Sequence, residues 1–219
     1  MCGRFVVIPD TLKARFDIWG NIVKIQPNYN ASPGQHLPII LKQDNHNIFE
    51  LMEWGLVPHW VRERKTGFSM INARMETLLE KLTFKYPFRT QRCIIPANGF
   101  YEWKQTDTGK IPHFIHLPNH EMMGFAGLYD TWEDKTTGNS TKTYTIITTA
   151  SSGIMESIHN RTPVILKQEL ENDWLTNINE NDLYNILEQN KKEIEMYPVS
   201  MLVNTPRNNN ASLIQPVRV

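Results

Sequence analysis

Short runs of β-branched and aromatic residues, each bounded by Pro, Gly, Asn or Asp, dominate the first two thirds of the chain. Such runs are typical of β-strands, because these side chains pack well on a pleated surface and the flanking residues favour turns. The pattern predicts eight strands, over residues 4–8, 37–41, 48–54, 93–96, 100–104, 113–117, 123–129 and 144–149.

Helical periodicity is confined to fewer segments. The pattern predicts helices over residues 10–19, where an Asp follows a Pro in the capping position, and over 75–82, 167–177 and 181–188. Strands do not alternate regularly with helices, which disfavours a doubly wound parallel sheet. The sequence therefore predicts an α+β fold, with a curved, mostly antiparallel β-sheet or open barrel and peripheral helices.

The length and composition are those of one ordinary globular domain. Of the 219 residues 40% are hydrophobic and 21% are charged. No apolar run approaches the roughly 20 residues that a membrane span needs, and no secretory signal is evident. We expect a single domain over residues 1–219 with a flexible tail from about residue 205. We also expect a monomer that lies in the cytoplasm and makes no membrane contact.

The charges balance overall but are unevenly distributed. Residues 1–110 contain 15 basic and 10 acidic side chains, whereas residues 111–219 contain 8 and 13, so the two halves carry +5 and −5. Eight basic residues lie between positions 60 and 92 against three acidic ones. A surface that is locally positive can attract a polyanion such as nucleic acid despite a neutral total, although scattered solvated charges would give the same counts.

The second residue, Cys2, is the most unusual placement in the chain. Removal of the initiating Met would leave an α-amine with a pKa of about 7.7–8.0 beside a thiol with a pKa of about 8.5. Such an aminothiol reacts with aldehydes in two steps, because the amine forms an imine and the thiolate then closes a five-membered thiazolidine ring. The alternative is that Cys2 is only a small residue near a chain end.

Two other residues are candidates for acid–base chemistry. Glu102 lies within the 100–104 strand pattern, on the face of Phe100 and Lys104 and opposite Tyr101 and Trp103. His159 lies in a loop before an apolar segment, and loop histidines often transfer protons. Taken alone, each residue also fits a structural role.

Six short segments resemble, in order, those of the SRAP family, the SOS response-associated peptidase group that processes abasic sites in DNA. They follow an N-terminal MCGRF and are YNASPGQ at 29–35, WGLVPHW at 54–60, NAR at 72–74, GFYEW at 99–103, GLYD at 127–130 and HNRTP at 159–163. Each segment alone is weak, but together they span nearly the whole chain. The resemblance implies the SRAP fold.

The resemblance also implies a reaction. Family members form a thiazolidine crosslink between the mature N-terminal cysteine, here Cys2, and the aldehyde of an abasic site in single-stranded DNA, which shields the lesion. It further implies self-removal of Met1, slow reversal of the crosslink and an SOS-type DNA damage response. By resemblance, Asn72 positions the cysteine and the lesion, Glu102 is the acid–base group, and His159 assists ring opening of the sugar.

DNA contacts can be argued from the residue types near these positions. Arg4, Arg74 and Arg161 each lie within two residues of a proposed catalytic residue, which makes them candidate phosphate ligands. An apolar surface for unpaired bases is predicted at Trp54, Pro58 and Trp60. Trp54 could equally be a core residue.

Two other functions remain open from the sequence. The first is a thiol peptidase with Cys2 as nucleophile and His159 as base. The second is a non-catalytic single-strand-binding module, whose affinity would fall steeply with salt. We expect no cofactor. We also expect no metal at His113, His116 and His120, because Pro112 and Pro118 argue against one helix that carries all three, and on a strand His113 and His116 face opposite sides. Cys93 is expected to be a buried structural residue.

Overall fold

Five strands close into a barrel in this computed structural model, which describes residues 2–20, 25–64, 70–190 and 193–218. They are β3 (His36–Gln43), β4 (His46–Trp54), β6 (Arg92–Ala97), β9 (Met123–Glu133) and β10 (Ser140–Ala150). Strand β10 pairs with β4 on one side and with β9 on the other, and β3 and β6 complete the ring. All neighbours are antiparallel except β4 and β10.

A second sheet of five antiparallel strands packs against the barrel. Its strands are β1 (Phe5–Val7), β2 (Asn28–Ala31), β7 (Gly99–Thr106), β8 (Gly109–His116) and β12 (Glu195–Pro198). They are arranged in the order β12, β8, β7, β1, β2. The central strand, β7, pairs with β1 through Phe5 opposite Phe100. The N-terminal strand therefore lies inside this sheet, not at its edge.

Two further three-residue strands flank the C-terminal part of β10. Strand β5 (Asn72–Arg74) pairs with it in parallel, with Asn72 opposite Ile146. Strand β11 (Arg161–Pro163) pairs with it antiparallel, with Arg161 opposite Ala150. Strand β10 thus continues past the barrel and holds one short segment on each side.

Alternation along the strands divides the core between the two faces of the second sheet. Phe5 and Phe100 face the barrel, and the Phe5 ring lies 5.1 Å from that of Trp54. The intervening residues Val6 and Tyr101 point to the other face, where they form a smaller cluster with the C-terminal segment. This alternation directs Glu102 towards the barrel side, as it does Phe100.

The helices are short and peripheral, as predicted, but three of the four predicted segments differ. In residues 167–177 a 3-10 turn over Gln168–Leu170 precedes the helix. Residues 10–19 form only a 3-10 turn and a short helix, because Asp17 has a positive φ and ends the helix early. Of the predicted helix over residues 75–82, Met75–Thr77 form a 3-10 turn, and the α-helix begins only at Leu82. The helices are α1 (Leu12–Arg15), α2 (Leu82–Thr90), α3 (Glu171–Thr176) and α4 (Glu180–Glu188).

The α+β class and the eight predicted strands are confirmed. The barrel is closed where an open one was predicted, because β9 and β10 pair over seven residues. Within the ranges that the structure describes, no helix is long and apolar enough to cross a bilayer.

The segment after residue 205 packs against the second sheet. Leu213, in a 3-10 turn over Ala211–Ile214, is fully buried. The Asn209 side-chain oxygen accepts a hydrogen bond from the Tyr29 N–H at 2.7 Å, and the Val217 N–H donates to the Pro198 carbonyl at 3.0 Å. The segment predicted as a flexible tail from about residue 205 is thus attached to the second sheet at Leu213 and through these hydrogen bonds, while most of its other side chains are exposed.

We expect Gly99→Ala to destabilise the fold, because an added Cβ would lie 2.6 Å from the Ile115 carbonyl oxygen and would also clash with the Phe114 ring. Overpacking of this kind costs about 1–3 kcal/mol. Urea unfolding of this variant, compared with the exposed-site control Lys135→Ala, measures the loss. Equal unfolding midpoints for the two variants would contradict the close approach of β7 and β8.

Candidate active site around Cys2

Cys2 is fully buried where the chain approaches strand β7. The Tyr101 N–H donates to the Arg4 carbonyl at 3.0 Å, so residues 2–4 continue the β1–β7 pairing towards Glu102. The Cys2 carbonyl accepts a hydrogen bond of 2.9 Å from the Asn72 side-chain amide. Asn72 lies on β5, so Cys2 is held between the second sheet and an extension of the barrel.

The surroundings of Cys2 keep its thiol protonated. Burial raises the pKa of the Cys2 thiol well above its usual range, and the negative charge of Glu102 raises it further. The Sγ atom lies 3.9 Å from the Arg4 carbonyl oxygen, to which the S–H donates. The resting side chain is therefore a neutral thiol that must lose its proton during any reaction.

Glu102 is 4% exposed and lies opposite His113 in the β7–β8 register. Its position on the barrel side of β7 explains why its charge acts on Cys2. A buried carboxylate within electrostatic range of a thiol is a suitable proton acceptor for that thiol or for an adjacent amine.

Asn72 contributes a second polar atom to the site. Its Oδ1 is buried and accepts no hydrogen bond from any residue that the structure describes. Buried acceptors normally have a donor partner, so this oxygen is suited to a donor group supplied by a reacting molecule or by the Cys2 amine.

His159 follows a 3-10 turn and precedes β11. Its Nδ1 accepts a hydrogen bond of 3.0 Å from the Arg161 N–H, and its own backbone N–H donates to the Met155 carbonyl at 3.0 Å. A neutral ring that accepts at Nδ1 carries its proton at Nε2. The Nε2 atom of His159 therefore carries the ring proton. His159 directly precedes Asn160 and β11, and β11 and β5 (which carries Asn72) both pair with the end of β10.

Arg161 is held by an ion pair. Its guanidinium donates to both carboxylate oxygens of Glu76, at 2.6 and 2.9 Å, and to the Thr148 carbonyl at 2.5 Å. These hydrogen bonds lower the pKa of Glu76. Arg161 was predicted as a phosphate ligand, but in the structure it ties β11 to β10 and to the turn after β5. Glu76 lies 85 residues from Arg161 in the sequence, so no local pattern indicates this ion pair.

Arg4 also has protein partners. Its guanidinium donates to the Asn30 side-chain oxygen at 2.7 Å and to the Val203 carbonyl at 3.0 Å, and burial lowers its pKa. It therefore joins the first residues to β2 and to the C-terminal segment. Arg74, by contrast, is exposed beside Asn72 and is the predicted arginine whose side chain is accessible at the surface.

The three residues of the predicted apolar surface occupy different environments. Trp54 is fully buried, and its ring N–H donates to the Ile71 carbonyl at 2.9 Å. Its predicted role in stacking on bases is therefore corrected to a core role. Pro58 is also buried, whereas Trp60 is 46% exposed. Trp103, which was not predicted to contact DNA, is a partly exposed neighbour of Glu102, and its ring N–H donates to the Asn204 side-chain oxygen.

The basic residues of positions 60–92 do not form one continuous surface. Arg92 is buried and donates to backbone carbonyls, including those of Phe88 and Trp174. Arg64 pairs with Glu53, and Arg89 pairs with Glu180. Lys65 lies outside the described residues. The exposed members are Arg62, Arg64, Arg74, Lys81 and Arg89.

Cys93 lies within β6, is fully buried, and has a pKa that burial raises well above its usual range. Its position against the barrel core agrees with the predicted structural role. Among the residues that the structure describes, no group of three or more His, Cys, Asp or Glu is arranged to hold a metal ion.

Comparison with known sequences agrees with the motif resemblance. The sequence model of a family described as "SOS response associated peptidase (SRAP)" matches residues 1–206. The chain is 42% identical over 223 residues to the abasic site processing protein YoqW of Bacillus subtilis (strain 168), covering 98% of this chain and 99% of that protein. It is 32% identical over 222 residues to the abasic site processing protein HMCES of Xenopus tropicalis, covering 87% and 66% respectively.

Solved structures share the architecture. A crystal structure of a protein from Bacteroides thetaiotaomicron matches with a TM-score of 0.88 at 28% identity, covering 99% of this chain and all of that one. The crystal structure of a phage-related protein from Bordetella bronchiseptica matches with a TM-score of 0.72 at 30% identity, covering 90% of this chain and 94% of that one.

We expect Glu102→Gln to lower the pKa of the Cys2 thiol, because the substitution removes a negative charge that disfavours the thiolate. Thiolate absorbance in the far ultraviolet, followed against pH in a Cys93→Ala background, measures the change. The pKa should remain above that of a free cysteine, since burial is the larger cause. An unchanged titration curve would show that the Glu102 charge does not act on Cys2.

Proposed function

Because the chain belongs to the SOS response associated peptidase (SRAP) family, we propose that it acts on abasic sites in single-stranded DNA by bonding to them through Cys2. The observation that carries this proposal is the enclosure of Cys2, which Asn72 holds at its carbonyl and which lies in the field of Glu102. The relatives named abasic site processing proteins support the same substrate.

The proposed reaction uses both groups of Cys2 once Met1 has been removed, a step that we expect the chain to catalyse on itself. The α-amine attacks C1′ of the ring-opened sugar, and the aldehyde oxygen leaves as water to give an imine. The Sγ atom then bonds to the same carbon while the thiol proton passes to the nitrogen. The product is a thiazolidine that links the protein to the DNA.

The neighbouring residues have complementary roles in this scheme. Glu102 accepts a proton from the amine and returns one to the departing oxygen, which its buried position beside Cys2 favours. Asn72 fixes the Cys2 carbonyl, and its Oδ1, which has no donor among the described residues, receives one from the amine or the sugar. His159 donates from Nε2 to a sugar oxygen during ring opening.

The tautomer of His159 also bears on the peptidase alternative. A general base for Cys2 would need an unprotonated ring nitrogen facing the thiol, whereas Nδ1 is already an acceptor for Arg161. A Cys2 thiol that burial keeps neutral is a weak nucleophile for a peptide carbonyl, whereas in the scheme above the amine attacks first and the sulfur adds only within the bound imine. We therefore prefer the crosslinking reaction, with slow reversal as its lyase component.

For the DNA, we propose direct contact by Arg74 and Trp60, whose side chains are exposed. Arg4 and Arg161 act chiefly by holding the segments that carry Cys2 and His159, since their guanidinium groups already have protein acceptors. Part of each group can still contribute positive charge near a phosphate.

We expect a covalent band on a denaturing gel when the protein is incubated with single-stranded DNA that contains one abasic site. Cys2→Ala should abolish the band, whereas Cys93→Ala should retain it, because Cys93 is buried in β6. An undamaged strand is the DNA control, and mass spectrometry checks that Met1 is absent. If no band forms with protein that lacks Met1, crosslinking is excluded and the peptidase becomes the leading function.

The thiazolidine and the role of Glu102 can be tested with conservative variants. Cys2→Ser should form at most a reversible imine, so its adduct should be lost on heating, and an equally heat-resistant adduct would contradict ring closure.

Glu102→Gln should slow crosslinking by roughly 10²–10⁴-fold, the usual contribution of general acid–base catalysis, while DNA affinity is retained. A loss of affinity would instead assign Glu102 a structural role.

We expect Arg74→Ala to weaken the binding of intact and abasic single strands equally, because a phosphate contact does not read the lesion. The slope of log affinity against log salt should fall by about 0.7, the value for one phosphate contact on a single strand. Fluorescence anisotropy against salt measures both quantities, with the exposed Lys135→Ala as control. A loss confined to abasic strands would contradict the assignment.

A further inference from the structure

An ion pair between Glu76 and Arg161 joins two short segments of the candidate site. Glu76 lies in the 3-10 turn Met75–Thr77, directly after β5, and Arg161 is the first residue of β11. The guanidinium donates to both carboxylate oxygens, at 2.6 and 2.9 Å. A bidentate pair of this kind fixes orientation as well as distance, because two parallel hydrogen bonds resist rotation.

The Arg161 guanidinium is also bonded to the strand between these segments. Its side chain is 12% exposed, whereas that of Glu76 is 49% exposed. The Nη2 atom donates to the carbonyl of Thr148, which is fully buried in β10, at 2.5 Å. The Thr148 hydroxyl in turn donates to the Ala73 carbonyl at 3.4 Å. These hydrogen bonds tie β11 to β10 and to β5, the strand that carries Asn72.

The backbone of Arg161 contacts His159 directly. The Arg161 N–H donates to His159 Nδ1 at 3.0 Å. This hydrogen bond requires an unprotonated Nδ1, so in the neutral ring it places the proton at Nε2. In the proposed scheme, Nε2 is the atom that donates to the sugar oxygen. The position of the Arg161 N–H therefore determines which nitrogen of His159 carries the proton.

The short length of β11 makes the Arg161 side chain important for that position. The strand has only three residues, and its last residue, Pro163, has no N–H to donate to β10. A strand with so few backbone hydrogen bonds is held weakly by pairing alone. The bonds of the Arg161 guanidinium to Thr148 and Glu76 therefore supply a substantial part of what fixes the start of β11.

The charges around Glu76 favour its ionised form. The hydrogen bonds from Arg161 lower the pKa of Glu76, and the positive charge of Arg74 lowers it further. Glu76 is consequently a carboxylate at neutral pH. The ion pair is thus formed under the conditions in which we expect crosslinking.

We propose that Glu76 is a positioning residue for the reaction at Cys2, because by holding the Arg161 side chain it fixes the Arg161 N–H against His159 and keeps the ring proton at Nε2. This inference rests on the proposed function for the role of His159 in the reaction. Glu76 itself transfers no proton and contacts no DNA in this proposal.

The test compares three variants with wild type. Glu76→Ala removes both acceptors of the Arg161 guanidinium, whereas Glu76→Gln keeps one oxygen acceptor and the length of the side chain. Glu80→Ala is the matched control, because Glu80 is an exposed acidic residue four positions further along the same segment. Urea unfolding checks that each variant is folded.

Nitrogen NMR of protein with isotope-labelled histidine, recorded without DNA, identifies the tautomer of the His159 ring. The measurement is made above the usual histidine pKa of about 6.5, and His159→Ala assigns the signals. Wild type and Glu80→Ala should show a protonated Nε2 and an unprotonated Nδ1. In Glu76→Ala the two signals should move towards the average of the two tautomers, with Glu76→Gln in between. Identical His159 signals in wild type and Glu76→Ala would overturn the inference.

The rate of crosslinking at saturating abasic single-stranded DNA should fall by roughly 10-fold or more in Glu76→Ala, since a misplacement of about 1 Å can cost 10²-fold. The DNA concentration that gives half of the maximal rate should not rise, because loss of an acidic residue does not weaken attraction to phosphate. Glu80→Ala should react at the wild-type rate. A faster reaction in Glu76→Ala would overturn the inference and show that the ion pair keeps Arg161 away from the DNA.

A double-mutant cycle tests whether Glu76 acts through His159. In a His159→Ala background, Glu76→Ala should cause little further slowing, because the ring that Glu76 positions is already absent. Equal slowing in the wild-type and His159→Ala backgrounds would contradict the proposal and assign Glu76 a role independent of His159.

The NMR measurement separates this inference from the proposed function, since it needs neither DNA nor reaction. If Glu76→Ala changes the tautomer of His159 but wild type forms no crosslink, the positioning of His159 by Glu76 stands and the Cys2 reaction fails. If wild type forms the crosslink but the tautomer does not depend on Glu76, the positioning role fails alone.

Discussion

The insertion of the first strand into the middle of the second sheet is the constraint on which the site depends. Strand β1 pairs with β2 on one side and with β7 on the other, so the residues just before it continue along β7. Cys2 is drawn into the space between sheet and barrel, and alternation along β7 brings Glu102 to the same side. Its burial and its electrostatic environment both follow from this one pairing.

Period-two alternation and turn residues indicated most of the fold. They predicted the strands of the barrel and most of those in the second sheet. They did not predict β5 and β11, which are three residues long and exist because β10 supplies their hydrogen bonds. The closure of the barrel could not be predicted from the sequence for the same reason. It depends on which strands pair with β10, and pairing between distant strands leaves no local pattern.

The site residues show a similar division. The motifs identified Cys2, Asn72 and Glu102 as candidate site residues, and in the structure these three lie close together. The motifs could not distinguish Trp54, which lies in the core, from Trp60, which is exposed, because both residues belong to the same motif. Nor could the motifs distinguish Arg161, which pairs with Glu76, from the exposed Arg74, because the Arg161–Glu76 ion pair forms only in the folded chain. Residue type indicates possible chemistry, and tertiary contacts decide which part of it is available.

The Arg4 side chain, which bonds to the Val203 carbonyl across 199 positions of sequence, has a consequence for folding. Contacts of such high sequence separation form slowly, since the intervening chain must first be ordered. Arg4 therefore fixes the segment that carries Cys2 only in a chain that has folded as far as Val203. In a chain truncated before Val203, the Arg4 guanidinium would lose this acceptor, and the segment that carries Cys2 would lose one of its attachments to the fold.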